Sequence, residues 1–181
     1  MVDLIASDPW AGLLPVQAGA ARLEAVDPGP LALLAPWPRA EEAMNAALRA
    51  AHGPGFPAPG RIETSGAARA IWFGRGQALL AGVVPDPSLR AHGLVEDQSD
   101  GWVVARLTGD GALDVLARLV PVDLRRLGPK GVVRTMLGHM NVAILGTSGG
   151  VEILAFRSMA GTLAHEIADA MRAVAGRAAL G

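Results

Sequence analysis

Chemistry-bearing side chains concentrate in one stretch, Phe156 to Met171 (FRSMAGTLAHEIADAM). His165-Glu166 invites comparison with the zinc helix in which two histidines four residues apart flank a glutamate. Here the residue four beyond His165 is Asp169, so that ligand set is incomplete. His52, His92 and His139 stand at no ligand spacing either, and no metal is expected in this chain. Helical periodicity gives a simpler account. His165, Asp169 and Arg172 share a polar stripe opposite Met159, Leu163, Ile167, Met171 and Val174. Exposed ion pairs of that kind contribute about 0.3–0.5 kcal/mol each, so the stripe is expected to face solvent or a partner. Arg157-Ser158, at a strand-to-helix junction, could hold an anion with free backbone N–H groups, the helix dipole and the guanidinium. The plainer expectation is that Ser158 caps the helix, which contributes about 1 kcal/mol.

Other motifs carry less. FGRGQALLAG has Gly74-x-Gly76 but Leu79 where a third glycine would stand, and strand-like residues follow, so the dinucleotide fingerprint fails. GTSGGVE reads as a hairpin turn, and LTGDGALD lacks the lysine and hydroxyl of a phosphate loop. Cysteine and tyrosine are absent, which removes disulfides, thiolates and phenol acid–base chemistry. The sole lysine, Lys130, lies in the turn LGPKGVV. No nucleophile and base stand at a signalling spacing, so the motifs single out no catalytic residue, although a Ser-His-Asp triad assembled in space stays open.

The 181-residue chain is 51% hydrophobic, 18% charged and carries a net charge of −1. A near-neutral, mixed-sign surface gives no field for nucleic acid or anionic lipid. No apolar run approaches a membrane span, so a cytoplasmic protein without membrane contact is expected. So few charges over so much apolar content suggest a surface buried against a partner.

The elements that must position these residues begin late. Residues 1–29 read as an extended N-terminal arm, and 30–181 as a single α+β domain of two similar halves, about 30–95 and 96–181. In the first half PLALLAP is a strand, PRAEEAMNAALRAAHG an amphipathic helix, GPGFPAPG a loop, ARAIWFG and QALLAGVV strands, and DPSLRAHGL a small helix. In the second, GWVVARLTG is a strand and DGALDVLARLV a helix with Asp110 as N-cap and an Asp114–Arg118 pair. VVRTMLG, NVAILG and VEILAFR are strands, and the last helix runs from about Ser158 to Ala175. Strand, helix, two or three strands, helix thus occurs twice, which makes the fold a duplicated α+β unit.

The motifs VPVDLR, RTMLGHM and FRSMAGTLAHE, spaced by these strands, resemble the gamma subunit of heterotetrameric sarcosine oxidase. Upstream, GFPAPGRIETSGAARAIWFGRGQALLAG resembles that family's loop and strand pair, so the resemblance covers roughly residues 53–175. It implies a fold similar to the folate-binding domain of glycine-cleavage aminomethyltransferase. It also implies a complex that oxidatively demethylates sarcosine to glycine, giving hydrogen peroxide and formaldehyde or methylene-tetrahydrofolate. In that family the larger subunits carry flavins, the nicotinamide dinucleotide (NAD) and folate, and the delta subunit carries zinc. The gamma subunit carries none of them. The resemblance therefore implies an assembly subunit with alpha, beta and delta partners and no cofactor of its own. Arg157, Ser158, His165, Asp169 and Arg172 are its candidate partner or anion contacts. Two alternatives stand beside it. A folate-binding one-carbon transferase would need an acid after a glycine pair, where GTSGGVEIL offers only Glu152 inside a strand; a stand-alone anion-binding module would rely on Arg157.

Overall fold

Two antiparallel sheets face one another across an apolar layer, and helices cover their outer faces. The structure, a computed structural model, describes residues 7–180. It runs β1 (Val16–Ala18), β2 (Ala21–Val26), β3 (Leu31–Pro36), α1 (Glu41–His52), β4 (Ile62–Ser65), β5 (Ala68–Gly74), β6 (Gln77–Ala81), a 3-10 turn (Pro87–Ala91) and β7 (Gly93–Asp97). It continues β8 (Trp102–Thr108), α2 (Ala112–Leu116), a 3-10 turn (Leu124–Arg126), β9 (Val132–Leu137), β10 (Met140–Thr147) and β11 (Gly150–Phe156). A last 3-10 turn (Arg157–Met159) leads into α3 (Ala160–Ala178).

The expected α+β duplication is explicit in the strand orders. One sheet is ordered β4-β5-β6-β3-β7 and the other β9-β10-β11-β8-β2-β1. Position by position, β4, β5, β6 and β3 correspond to β9, β10, β11 and β8, and β7 corresponds to β2. That last pair is exchanged between the units. Strand β2 precedes β3 in the chain but pairs with β8, Leu23 opposite Leu107. Strand β7 precedes β8 but pairs with β3, Val95 opposite Leu34.

Residues 1–29 are therefore not simply an arm: their strands β1 and β2 complete the sheet of the second half. A boundary near residue 95 likewise falls inside β7. Strand β2 carries little local signal because its alternation is brief. Ala21 and Leu23 point into the core while Arg22 points to solvent, over only six residues between turns.

Burial follows strand parity. Leu23, Val103, Leu107, Val142, Ile144 and Ile153 face α3, meeting Leu163, Ile167 and Met171. The alternate residues Val104, Leu154, Ala143 and Leu145 face the second sheet and meet Ile71, Phe73 and Leu79. Strands covered on both sides read as continuous apolar runs, which is why β8, β10 and β11 are legible. On the far side, Leu34, Ala70 and Leu80 pack on Met44 and Leu48 of α1. That helix has Glu41 and Glu42 in its first turn and Arg49 in its last, charges that complement the helix dipole. Gly53, at φ 92°, ends it and donates its N–H to the Arg49 carbonyl.

Helix α2 is shorter than expected. Gly111, at φ 83°, precedes its first residue, so Asp110 does not cap it. Because it ends at Leu116, Arg118 lies beyond it, and among the described residues no ion pair joins Asp114 to Arg118.

Candidate functional site

The C-terminal helix keeps its expected apolar face, with Leu163, Ile167 and Met171 buried, but Met159 is 40% exposed in the turn before it. His165, Asp169 and Arg172 are exposed on the opposite side. Only two of them meet: Arg172 Nη1 lies 2.6 Å from Asp169 Oδ1. His165 Nδ1 instead lies 2.7 Å from the Gly161 carbonyl oxygen one turn back. The stripe is thus satisfied largely within its own helix.

Ser158 does not cap α3. The chain enters the helix through the Arg157–Met159 turn, which puts Met159 at the cap position with no side-chain cap bond. Arg157 donates from Nη2 to the Ser7 carbonyl oxygen at 2.6 Å, tying the N-terminal segment to the end of β11. It borders two open clefts, one of about 520 Å³ that also touches Trp10, Asp27 and Trp102, and one of about 650 Å³ that touches Phe156 and Ser158. Among the described residues, no group of three or more His, Asp or Glu side chains could hold a metal.

The inner face of the β8–β11 sheet holds charged residues, among them Glu152, the acid considered above for a folate-binding transferase. Register aligns Arg106 with Glu152, Val104 with Leu154, and Trp102 with Phe156. Across β10 and β9 it aligns Ala143 with Arg134 and Asn141 with Met136. Glu152 is 3% exposed, the one buried charged side chain among the described residues. Its Oε1 accepts from Arg106 Nη2 at 2.7 Å and its Oε2 from Arg69 Nη1, on β5 of the other sheet, at 2.6 Å. Burial pushes the Glu152 carboxyl up, but the hydrogen bonds and charges of Arg106 and Arg69 outweigh it, holding the group below its ordinary value. It is an ionised clamp between sheets, with both oxygens committed. Arg106 Nε is buried and unpartnered.

A second inward arginine sits differently. The Arg134 guanidinium lies 4.1 Å from the Phe73 ring centroid and 5.8 Å from that of Trp102. Its Nη1 donates to the Phe73 carbonyl oxygen at 2.9 Å. Phe73 meets Trp102 edge-on at 5.0 Å, and Trp102 stacks on Phe156 at 4.5 Å. The sequence signal for all three arginines is one: a cation at an inward strand position whose neighbours two residues away are apolar. Arg69 precedes Ile71, Arg106 follows Val104, and Arg134 follows Val132.

The fold is similar to that of part of aminomethyltransferase. The chain matches glycine cleavage system aminomethyltransferase T from Bartonella henselae at TM-score 0.55 and 17% identity, over 83% of its own length and 46% of that chain. It thus spans about half of that enzyme. The resemblance to heterotetrameric sarcosine oxidase extends through the structure. A chain of heterotetrameric sarcosine oxidase from Corynebacterium sp. U-96, solved in complex with pyrrole 2-carboxylate, matches at TM-score 0.78 and 26% identity. That match covers 94% of this chain and 96% of the other. No protein-family model and no curated protein matches the sequence.

Proposed function

We propose that this chain is the gamma subunit of a heterotetrameric sarcosine oxidase, a non-catalytic assembly subunit that acts in the cytoplasm with alpha, beta and delta partners. The observation that carries this reading is the reciprocal coverage, 94% and 96%, of a chain taken from such an assembly. At 26% identity that match spans nearly all of the sarcosine oxidase chain, whereas the aminomethyltransferase match spans 46% of its chain. The sequence motifs support the gamma assignment, and the commitment of Glu152 to two arginines supports a structural role for the most buried acid. Flavins, NAD, folate and zinc then reside in the partner subunits, which carry out oxidative demethylation of sarcosine to glycine. No helix among the described residues is long and apolar enough to cross a membrane.

A folate-binding one-carbon transferase is favoured only by the aminomethyltransferase likeness, which at 17% identity speaks to fold alone. Co-expression with the other three subunits tests both readings. The assembly reading expects a four-chain complex with sarcosine-dependent peroxide formation, and an isolated chain that is colourless and inactive. A purified chain with a flavin absorption spectrum overturns it, and micromolar folate binding by the isolated chain favours the alternative.

A further inference from the structure

Arg134 is the cation on the inner face without a counter-charge. Arg69 and Arg106 both hold Glu152, whereas no carboxylate among the described residues lies within ion-pair distance of the Arg134 guanidinium. Burial alone perturbs it, lowering its pKa from the ordinary value while leaving it a cation. One nitrogen is used on the Phe73 carbonyl, and a guanidinium has five N–H donors. Around it the sheet end is both apolar and open: Met136 is 37% and Phe156 45% exposed, and Phe156 lies on Trp102, which lies on Phe73. A rigid aromatic platform carrying one arginine has the make-up of an interface centre.

We propose that this end of the inner face is where a neighbouring subunit docks, setting an aspartate or glutamate carboxylate against Arg134 within an apolar contact. Charge decides the kind of partner. Covering the patch removes water from a cation already half-buried, and a carboxylate placed by the partner offsets that more fully than a neutral acceptor does. A second copy of this chain is disfavoured as the occupant: a two-fold contact centred here brings Arg134 towards Arg134, like charge against like charge. The partner's identity as a subunit of the oxidase rests on the assembly reading above.

The test is co-expression of the full tagged chain with the alpha, beta and delta subunits. The wild type is expected to retain its partners. Arg134→Glu is expected to cut the co-purified partner at least tenfold, with an unchanged circular dichroism spectrum, and reversing the partner's facing acid to lysine is expected to restore it. Met136→Glu, an exposed substitution, repeats the measurement should Arg134→Glu fold poorly. A wild-type complex that both variants leave intact overturns this surface but not the assembly reading. A wild-type chain that retains none of the three subunits overturns the assembly reading and this partner with it. A concentration-dependent dimer of the wild type, abolished by Arg134→Glu in sedimentation, assigns the patch to a second copy and overturns the proposal.

Discussion

Arg69 and Glu152 link the two sheets through a 2.6 Å charge-assisted hydrogen bond, one residue from each duplicated unit. Glu152 is almost wholly buried while Arg69 and Arg106 keep 28% and 39% of their side chains exposed. Removing the acid leaves two cations close together, partly relieved by water. Typical buried pairs cost about 3–5 kcal/mol to break, and the exposure of the arginines brings Glu152→Gln to about 2 kcal/mol. Urea unfolding should show a lower midpoint at unchanged slope. Replacing all three residues by leucine should recover much of that loss, since an apolar layer of similar volume needs no ion triad. A Glu152→Gln variant as stable as wild type would show that the clamp contributes nothing.

The same carboxylate sets a pH dependence. Its folded pKa is depressed from 4.5, so the unfolded chain binds the proton more readily than the folded one. Its stabilisation is complete above the unfolded pKa and is lost as pH falls through the folded value. Asp86 and Asp97, both exposed and hydrogen-bonded to nearby serines, shift in the same direction. The difference between wild type and Glu152→Gln isolates the buried group. Urea midpoints of the two proteins should be well separated at pH 7 and converge as pH falls below the ordinary carboxylate range. Parallel curves over that range would assign the acid dependence elsewhere.

What the sequence made legible divides along range of interaction. Strands β8, β10 and β11 are buried on both faces, so their apolar runs announce them without knowledge of neighbours. Helix α1 carries its own signals in Glu41, Glu42 and Gly53. The exchange of β2 and β7 has no local signature, because Leu23 finds Leu107 and Leu34 finds Val95 far along the chain. The site divides in the same way. The polar stripe of α3 follows from helical spacing within one element. The Glu152 clamp needs three strands from two sheets, and Ser158 does not cap α3 because a 3-10 turn moves the helix start to Ala160.

The Asp169–Arg172 pair should matter little to folding. Its side chains are 76% and 64% exposed, and the bond lies within one helix face. Exchanging the charges, Asp169→Arg with Arg172→Asp, should change stability by less than about 0.5 kcal/mol. A chemical melt resolves a larger effect. A loss above about 1 kcal/mol would mean that the stripe is bound to something other than solvent.

The exchanged strand yields the largest expected effect. Leu23 is fully buried between β8 and α3, and β2 pairs along the length of β8. Leu23→Ala removes that packing and should cost about 2–5 kcal/mol, the usual range for a truncated core leucine. Deleting residues 1–29 does more, because it strips the partner from β8 and exposes a long apolar edge that invites pairing with other chains. The truncated chain should therefore be recovered in aggregates, whereas removal of residues 1–6 alone leaves β1 and β2 in place and should spare solubility. Size-exclusion chromatography distinguishes the two. A monodisperse, cooperatively folding 30–181 fragment would mean that the second unit closes its sheet without the strand it takes from the start of the chain. In that case β2 would be the dispensable arm that its short alternation suggests.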